Sequence, residues 1–424
     1  MKLSLPTFIA ILVLSVNACA DEVDVVSQQE GLRGKYTQFK KRYSIYFNGI
    51  EEDEYRFAVF KENMAFIEKT NNRNLSYRLA VNQYSAMTDE EFASRNGSLF
   101  DPETGYTSVE GWPNDAVENI SLTSPTSIDW VELGAVNAPL AQGKCGACYA
   151  MAALDRAGHH QTFFDERTGC YKRRNKHLDG VCHVLGDTTC PDHAPSWSSL
   201  RVQERIRVPS RGFGLSRALE SAMKIQSGLL ERFSVQQIID CSQSLGNKGC
   251  YGGSRTLAQK YVSENGIVSD AAYAYTAKDE VCRQVVQDKT KQCLRKGDIS
   301  PAKSVTIDSN RLNLLSFELA KGPIAVAVAN TAPQWKQYKN GILKDFSCNG
   351  APNHAMLLVG YGTENGVGYW KLRNSEGTGW GENGYVRIFR DPKAFAVYYY
   401  TKHIDRSSLA GQHHVEPTHP QLLS

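Results

Sequence analysis

A short stretch, residues 142–149 (QGKCGACY), constrains the fold more than any other part of the chain. Gly146 permits a tight turn, and the apolar residues after it predict a helix that begins near Cys148. In the first turn of a helix, Cys148 would lie at the positive end of the helix dipole, which favours the thiolate. The thiolate is the nucleophilic form of cysteine, so Cys148 is a candidate nucleophile, although a lone cysteine is more often an inert buried thiol.

The first twenty residues predict a secretory signal that is removed after Ala20. Lys2 gives a positive start, residues 3–16 are mostly apolar, and Ala18 and Ala20 place small side chains at the cleavage site. This stretch is too short to span a bilayer, and no later stretch reaches about 18 uninterrupted apolar residues. We therefore expect a protein of the secretory pathway, extracellular or lysosomal, without stable membrane insertion and with disulfides permitted.

Composition excludes several other classes of protein. The chain has 424 residues, of which 41% are hydrophobic and 22% are charged, so wholesale disorder and fibrous repeats are excluded. The formal net charge is only +3, which gives no electrostatic case for nucleic acid as the main partner.

Helical patterns precede strand patterns along the chain, which predicts an α+β protein in two lobes. Apolar residues recur at helical spacing from 55 to 67, and residues 96–126 have the composition of a linker. Further helices are predicted at 150–154, 218–225 and 234–239. Strands are predicted at 324–328, 356–361, 369–372 and 385–389.

Four motifs, in order along the chain, resemble those of the papain-like cysteine proteases. Residues 145–149 fit the C-G-[SA]-C-[WY] pattern around the nucleophile of that family. The resemblance implies that Cys148 attacks a peptide carbonyl and forms an ion pair with His354, which transfers the proton. It also implies that Asn374 orients the imidazole and that Gln142 donates a hydrogen bond to the oxyanion.

The resemblance covers residues 52 to about 403, apart from one segment, and implies the papain-like two-lobe fold. That fold has a helical left lobe and a β-barrel-like right lobe. Six residues from Glu52 to Asn71 match the ERFNIN pattern of cathepsin L-like propeptides, whose long helix helps to cover the cleft. The expected division of the chain is 1–20 signal peptide, 21–123 inhibitory propeptide, 124–405 peptidase domain and 406–424 C-terminal tail.

Six cysteines remain for disulfides when the signal, the nucleophile and an atypical segment are set aside. By resemblance, Cys145 pairs with Cys250 and Cys241 pairs with Cys282. The family's usual partner of Cys348 is absent, so a bond from Cys293 to Cys348 is a hypothesis, and two unpaired thiols are its alternative.

The resemblance also locates the substrate-binding surface. A glycine wall would hydrogen-bond the backbone of an extended substrate, and glycine allows that close approach. The expected contact residues are Gly252, Gly253, Ser254, Ala327 and Pro352. We expect a monomer without cofactors, whose partners are protein or peptide substrates and its own propeptide as inhibitor.

Two departures from the family pattern leave a second function open. Glu376 stands where the family has a tryptophan that covers the Asn–His hydrogen bond, and Ala86 stands where the propeptide usually has an aspartate. The first hypothesis is a cysteine endopeptidase that is made as a zymogen and acts through an acyl-enzyme. The alternative is a catalytically impaired pseudo-protease that binds peptides or partner proteins.

The segment 155–217 fits neither the periodic patterns nor the resemblance. Removing 62 of its residues restores a continuous helix after the nucleophile and shortens the separation of Cys148 and His354 to 144 residues. That separation falls in the family's window of about 130–150 residues. Our favoured hypothesis is an unspliced intron or another gene-model error. In the alternative, a genuine insertion, Cys182, His183, Cys190 and His193 loosely suggest a zinc knuckle, but their spacing matches no standard pattern, so no metal is predicted.

Overall fold

The computed structural model describes residues 30–96, 124–157, 162–165, 170–173, 217–299, 302–306, 312–344, 353–390 and 397–403. The predicted signal peptide, the C-terminal tail, Pro352, Cys348 and the cysteine–histidine group from 182 to 193 lie outside these residues. No described helix is both long enough and apolar enough to cross a membrane.

The helices fall into a propeptide group and a group that surrounds the nucleophile stretch. The propeptide group consists of α1 (residues 30–43), α2 (Ile50–Asn71) and α3 (Asp89–Ser94). The second group consists of α4 (Cys148–Leu154), α5 (Leu219–Ser227), α6 (Val235–Cys241) and α7 (Arg255–Asn265). Two more are α8 (Leu312–Leu319) and α9 (Pro333–Gln337), and short 3₁₀ turns occupy Gln243–Leu245, Gly249–Tyr251 and Gln284–Gln287.

One mixed sheet dominates the second half of the chain. Its strands are β1 (Tyr77–Leu79), β2 (Ile128–Asp129), β9 (Ala302–Thr306), β10 (Ile324–Val328), β11 (Tyr338–Leu343), β12 (His354–Glu364), β13 (Val367–Arg373), β14 (Tyr385–Phe389) and β15 (Val397–His403). Their order is β1-β11-β14-β13-β12-β10-β15-β9, with β2 paired to β12. The remaining strands form three separate pairs, namely β3 (Asp155–Ala157) with β6 (Arg217–Ala218), β4 (Thr162–Asp165) with β5 (Cys170–Arg173), and β7 (Ile267–Val268) with β8 (Gln292–Leu294).

Two hydrophobic cores confirm the predicted α+β division into lobes. One core joins α4 to α5, α6 and α7 through residues such as Tyr149, Leu219 and Ile238. The other core covers the sheet and includes Trp335 and Trp370. Burial of apolar side chains supplies most of the driving force for both lobes, and the cleft forms where they meet.

The propeptide joins the sheet through its own strand. Strand β1 pairs antiparallel with β11, which lies in the peptidase domain, and Tyr77 is opposite Gly341. Gly341 has a positive φ of 89°, and a side chain there would collide with the Ser76 carbonyl. Glycine is therefore required at this position for the propeptide strand to approach the sheet edge.

The chain leaves α4 and returns to α5 through two adjacent strands. Strand β3 begins directly after Leu154, and β6 ends directly before Leu219, with Arg156 paired to Ala218. Helix α4 therefore ends where the sequence analysis expects the interruption. The helical core contains both Leu154 and Leu219, so the two helices still share one packing surface. The intron hypothesis stays a prediction.

Both disulfides that the resemblance implies are present. Cys145 is bonded to Cys250, and Cys241 is bonded to Cys282. Cys293 carries a free thiol whose pKa is raised to about 11, chiefly by burial. The hypothesis of a Cys293–Cys348 bond stays a prediction, because Cys348 lies outside the described residues.

Candidate active site

Cys148 is the first residue of α4 and is completely buried. The turn before it is fixed by the Cys145–Cys250 disulfide and by the Gly146 amide, which donates to the Cys250 carbonyl at 2.9 Å. Cys148 forms no disulfide, and it packs with Ala152, Ala325 and Ala355. Two of these alanines belong to strands β10 and β12, so the thiol lies where the helical lobe meets the sheet.

His354 begins β12, next to Ala355 in this cluster, and is also completely buried. Its Nε2 lies 2.8 Å from Oδ1 of Asn374, the first residue after β13. The same Oδ1 accepts the Ser375 amide at 2.8 Å, which fixes the amide orientation and makes Nε2–H the donor. The antiparallel register of β12 and β13 places the start of one strand beside the end of the other.

The second imidazole nitrogen, Nδ1 of His354, is buried without a hydrogen-bond partner among the described residues. Because Nε2 donates its proton to Asn374, Nδ1 of the neutral ring carries the lone pair that can accept a proton. A buried basic nitrogen without a partner is uncommon in native proteins, and it points to a reactive group.

In this propeptide-bound form, burial lowers the pKa of His354 to about 4. The hydrogen bond to Asn374 opposes the shift, and the positive charge of Arg95 adds to it. The ring is therefore neutral above about pH 4. Burial therefore opposes the ion pair with Cys148 that the sequence analysis expects, because desolvation disfavours the imidazolium; that ion pair stays a prediction.

Gln142 is completely buried, and hydrogen bonds to Ser375 and Tyr275 hold it in place. Its Oε1 accepts the Ser375 hydroxyl at 2.6 Å, and its backbone carbonyl accepts the Tyr275 hydroxyl at 2.7 Å. Its backbone amide donates to the Ser375 carbonyl at 2.8 Å. The side-chain NH₂ is thereby directed at the backbone carbonyl of Arg95, 3.1 Å away. Sequence reasoning missed Ser375 and Tyr275, since neither follows a recognisable spacing.

A propeptide residue therefore occupies the candidate oxyanion donor. Arg95 directly follows α3, whose start is fixed by a capping box between Thr88 and Glu91. Besides its carbonyl contact with Gln142, Arg95 donates through Nη2 to the Gly143 carbonyl at 2.6 Å. In this structure a propeptide carbonyl is thus hydrogen-bonded to the candidate oxyanion donor, which fits the inhibitory role of the propeptide domain.

Glu376 binds the propeptide in this structure. Its Oε2 lies 3.2 Å from Nη2 of Arg95 and accepts the hydroxyl of Tyr84 in a short hydrogen bond. Burial raises the pKa of the Glu376 carboxyl, and Arg95 and Tyr84 oppose that rise.

The expected substrate-binding residues lie in both lobes. Gly252 and Gly253 follow a 3₁₀ turn, and a side chain at 253 would collide with Asn247 and Tyr149. The Ser254 hydroxyl accepts the amides of Thr256 and Leu257, so it caps α7. Buried Ala327 lies in β10. Substrate contact by these residues stays a prediction.

Comparison with known proteins identifies two domains in the chain. The papain family cysteine protease domain matches residues 211–402, and the cathepsin propeptide inhibitor domain (I29) matches residues 36–92. A probable cysteine protease of Arabidopsis thaliana, RDL3, is 30% identical over 406 residues, which cover 90% of this chain and 85% of the relative. The chain belongs to the papain family of cysteine proteases.

Other relatives of this protease carry a propeptide or are cathepsins. A cathepsin L-like proteinase of Phaedon cochleariae is 29% identical over 388 residues, covering 90% of this chain and 94% of the relative. The solved structure of the digestive procathepsin L2 proteinase from Tenebrio molitor larval midgut has a TM-score of 0.64 and 26% identity, covering 88% of this chain and 99% of that one. The papain-like fold and the inhibitory propeptide are thus confirmed.

The neutral state of His354 predicts a pH-dependent stability of the protease proform. The unfolded imidazole has a pKa near 6.5, so between pH 6.5 and about 4 the unfolded chain binds a proton that the folded proform does not. This group therefore lowers the free energy of unfolding as the pH falls. We expect His354 to lower the free energy of unfolding by about 2 kcal/mol between pH 7 and pH 4.5.

Denaturant unfolding of two proform variants measures this contribution. Cys148→Ala prevents self-cleavage, and Cys148→Ala with His354→Gln also removes the titrating ring. On acidification from pH 7 to pH 4.5, the free energy of unfolding of the first variant should fall by about 2 kcal/mol more than that of the second. Equal losses in both variants would show that the imidazole of His354 is not held neutral in the proform.

Proposed function

We propose that the mature protease is a cysteine endopeptidase in which Cys148 is the nucleophile and His354 is the base. The observation that carries this proposal is the buried His354, whose Nε2 is held by Asn374 at 2.8 Å while Nδ1 is left without a hydrogen bond among the described residues. The fixed tautomer leaves Nδ1 as the one basic nitrogen of the ring. Ala355, the next residue in the chain, packs against Cys148, which supports a position of the ring near the thiol.

The first half of the proposed reaction forms an acyl-enzyme. The Sγ proton of Cys148 passes to Nδ1 of His354, and the thiolate attacks the carbonyl carbon of the peptide bond. The oxygen of the tetrahedral intermediate takes the negative charge, and Gln142 Nε2 and the Cys148 amide donate hydrogen bonds to it. The intermediate collapses, the C–N bond breaks, and the imidazolium gives its proton to the leaving amine.

The second half of the reaction releases the acyl group. His354, neutral again, takes a proton from a water molecule that attacks the thioester carbonyl. The second tetrahedral intermediate collapses with cleavage of the C–S bond, and the proton returns to the sulfur of Cys148. Asn374 holds the ring in one orientation through both halves, which is the positioning role that the triad requires.

Propeptide removal is the proposed activating event. It withdraws the Arg95 carbonyl from Gln142 and the Arg95 charge from His354, and it admits water to the cleft. Each of these changes favours the charged imidazolium, so the ion pair with Cys148 forms after activation. We also propose a monomer that enters the secretory pathway and acts outside the cell or in lysosomes.

One experiment tests the proposed activity. Acid-processed protein is treated with an epoxysuccinyl peptide, which alkylates activated cysteines, and assayed on a fluorogenic peptide. We expect hydrolysis that stops in proportion to the adduct on Cys148, located by mass spectrometry. Free Cys293 serves as the internal control, since its raised pKa keeps it protonated and unreactive. Hydrolysis that survives full alkylation of Cys148 would refute the assignment.

The pseudo-protease is the second candidate, and the division between α4 and α5 favours it. The helix that carries Cys148 has seven residues before the chain leaves it at β3, so less structure supports the nucleophile than one continuous helix would give. On this alternative, folded and processed protein would bind the peptide but give neither hydrolysis nor a Cys148 adduct. Deleting residues 155–217 and repeating the assay shows whether the segment causes the loss.

A further inference from the structure

Every described partner of the Glu376 carboxylate comes from the propeptide. These partners are the guanidinium of Arg95 and the hydroxyl of Tyr84, and Gln83 also donates to the Glu376 backbone carbonyl at 3.3 Å. Glu376 itself belongs to the peptidase domain, where it forms a β-bridge with Ala141. Propeptide removal therefore leaves a carboxylate in the cleft wall without the cation that it faces in the proform.

Arg95 shows what kind of side chain fits beside this carboxylate. Its backbone carbonyl accepts from Nε2 of Gln142 at 3.1 Å, while its guanidinium reaches Oε2 of Glu376 at 3.2 Å. One basic residue thus contacts the proposed oxyanion donor and Glu376 simultaneously. Gly143 contributes a carbonyl acceptor 2.6 Å from the same guanidinium, and this carbonyl also belongs to the peptidase domain.

Chain connectivity places Glu376 close to the residue that holds the imidazole. It follows Asn374 and Ser375, and Asn374 holds the imidazole that protonates the leaving amine. Gly252 and Gly253, expected to bind the backbone of an extended substrate, lie just before α7 in the helical lobe. A substrate that runs across the cleft would therefore bring the residue after the cleaved bond towards Glu376.

We propose that Glu376, with the Gly143 carbonyl, forms a subsite for an arginine or lysine side chain on the residue that follows the cleaved bond. This inference rests on the proposed function. A guanidinium suits the subsite best, because its planar donors reach a carboxylate and a carbonyl together. An acidic side chain at the same position faces repulsion, so the subsite selects by exclusion as well as by attraction.

Matched peptides test the subsite in the processed full-length protein. Three peptides differ only in the residue after the cleaved bond, which is arginine, its neutral isostere citrulline, or glutamate. We expect kcat/KM for the arginine peptide to exceed that for the citrulline peptide by about tenfold, with glutamate lowest. In Glu376→Gln the ratio of arginine to citrulline should fall to about one, whereas exposed Glu132→Gln should keep it.

A binding measurement separates this inference from the proposed activity. Cys148→Ala protein, from which an added protease has removed the propeptide, is titrated with the same peptides by fluorescence anisotropy. Tighter binding of the arginine peptide, lost in Glu376→Gln, supports the subsite even where no hydrolysis occurs. The subsite is overturned if the protein with Glu376 intact binds the arginine and citrulline peptides equally tightly. It is also overturned if a preference for arginine persists in Glu376→Gln, whether or not the peptides are cut.

Discussion

Replacing His354 with alanine is expected to lower kcat of the processed protease by a factor on the order of 10⁴–10⁶. We propose this ring as the base for Cys148, so its loss removes the proposed acceptor of the Sγ proton. KM should change little, because the ring contacts the reacting atoms rather than the rest of the peptide. Steady-state kinetics on a fluorogenic peptide measure both constants.

Asn374→Ala is the matched control for this prediction. It leaves the base in place but removes the acceptor at 2.8 Å from Nε2, so it disturbs only the orientation and tautomer of the ring. Its loss of kcat should be smaller than that of His354→Ala, and the double variant should be no worse than His354→Ala alone. Additive losses in the double variant would show that the two side chains do not act as one unit.

The second large effect concerns propeptide affinity. Arg95→Gln removes the cation that faces Glu376, and the pair is well buried, with exposed side-chain fractions of 14% and 1%. Removal of one partner of a buried ion pair commonly costs about 3–5 kcal/mol. The proform should therefore open more readily, and the rate at which the epoxide labels unprocessed protein should rise by about 10²-fold or more.

A double-mutant cycle tests whether the ion pair is responsible. Glu376→Gln alone should also weaken binding of the propeptide to the cleft. The double variant, Arg95→Gln with Glu376→Gln, should lose less binding free energy than the sum of the two single losses, because no unpaired charge remains. Arg73→Gln, an exposed propeptide residue, makes the same charge change without a cleft contact and should leave labelling unchanged. Additive single effects would show that Arg95 and Glu376 act independently.

The fold was largely predictable because its elements follow local patterns. Strands at 324–328 and 385–389 coincide with β10 and β14, since short apolar or alternating runs end at Gly, Pro or charged residues. Strand β12 is longer than predicted because its pairing with β13 continues past Tyr361 to Glu364, where the pattern alone suggests a turn. Tertiary pairing decides such ends, and single-sequence patterns do not contain it.

The site residues that belong to a motif could be predicted from the sequence. The contacts between residues far apart in the chain could not. The sequence places His354 and Asn374 through their motifs, and the structure brings them within 2.8 Å. The contact of Arg95 with Glu376 joins residues 281 positions apart and depends on how the propeptide lies in the cleft. The neutral state of His354 has the same origin, because burial beneath another segment sets it.

The central claim is that the thiol of Cys148 loses its proton to His354 once the propeptide has left. The most direct test is the rate of Cys148 alkylation by iodoacetamide as a function of pH, in processed protein with and without His354→Gln. We predict a rate that rises with an apparent pKa at least one unit below the ordinary cysteine value of about 8.5, and a return to that value in the variant. An apparent pKa near 8.5 in both proteins would contradict the account.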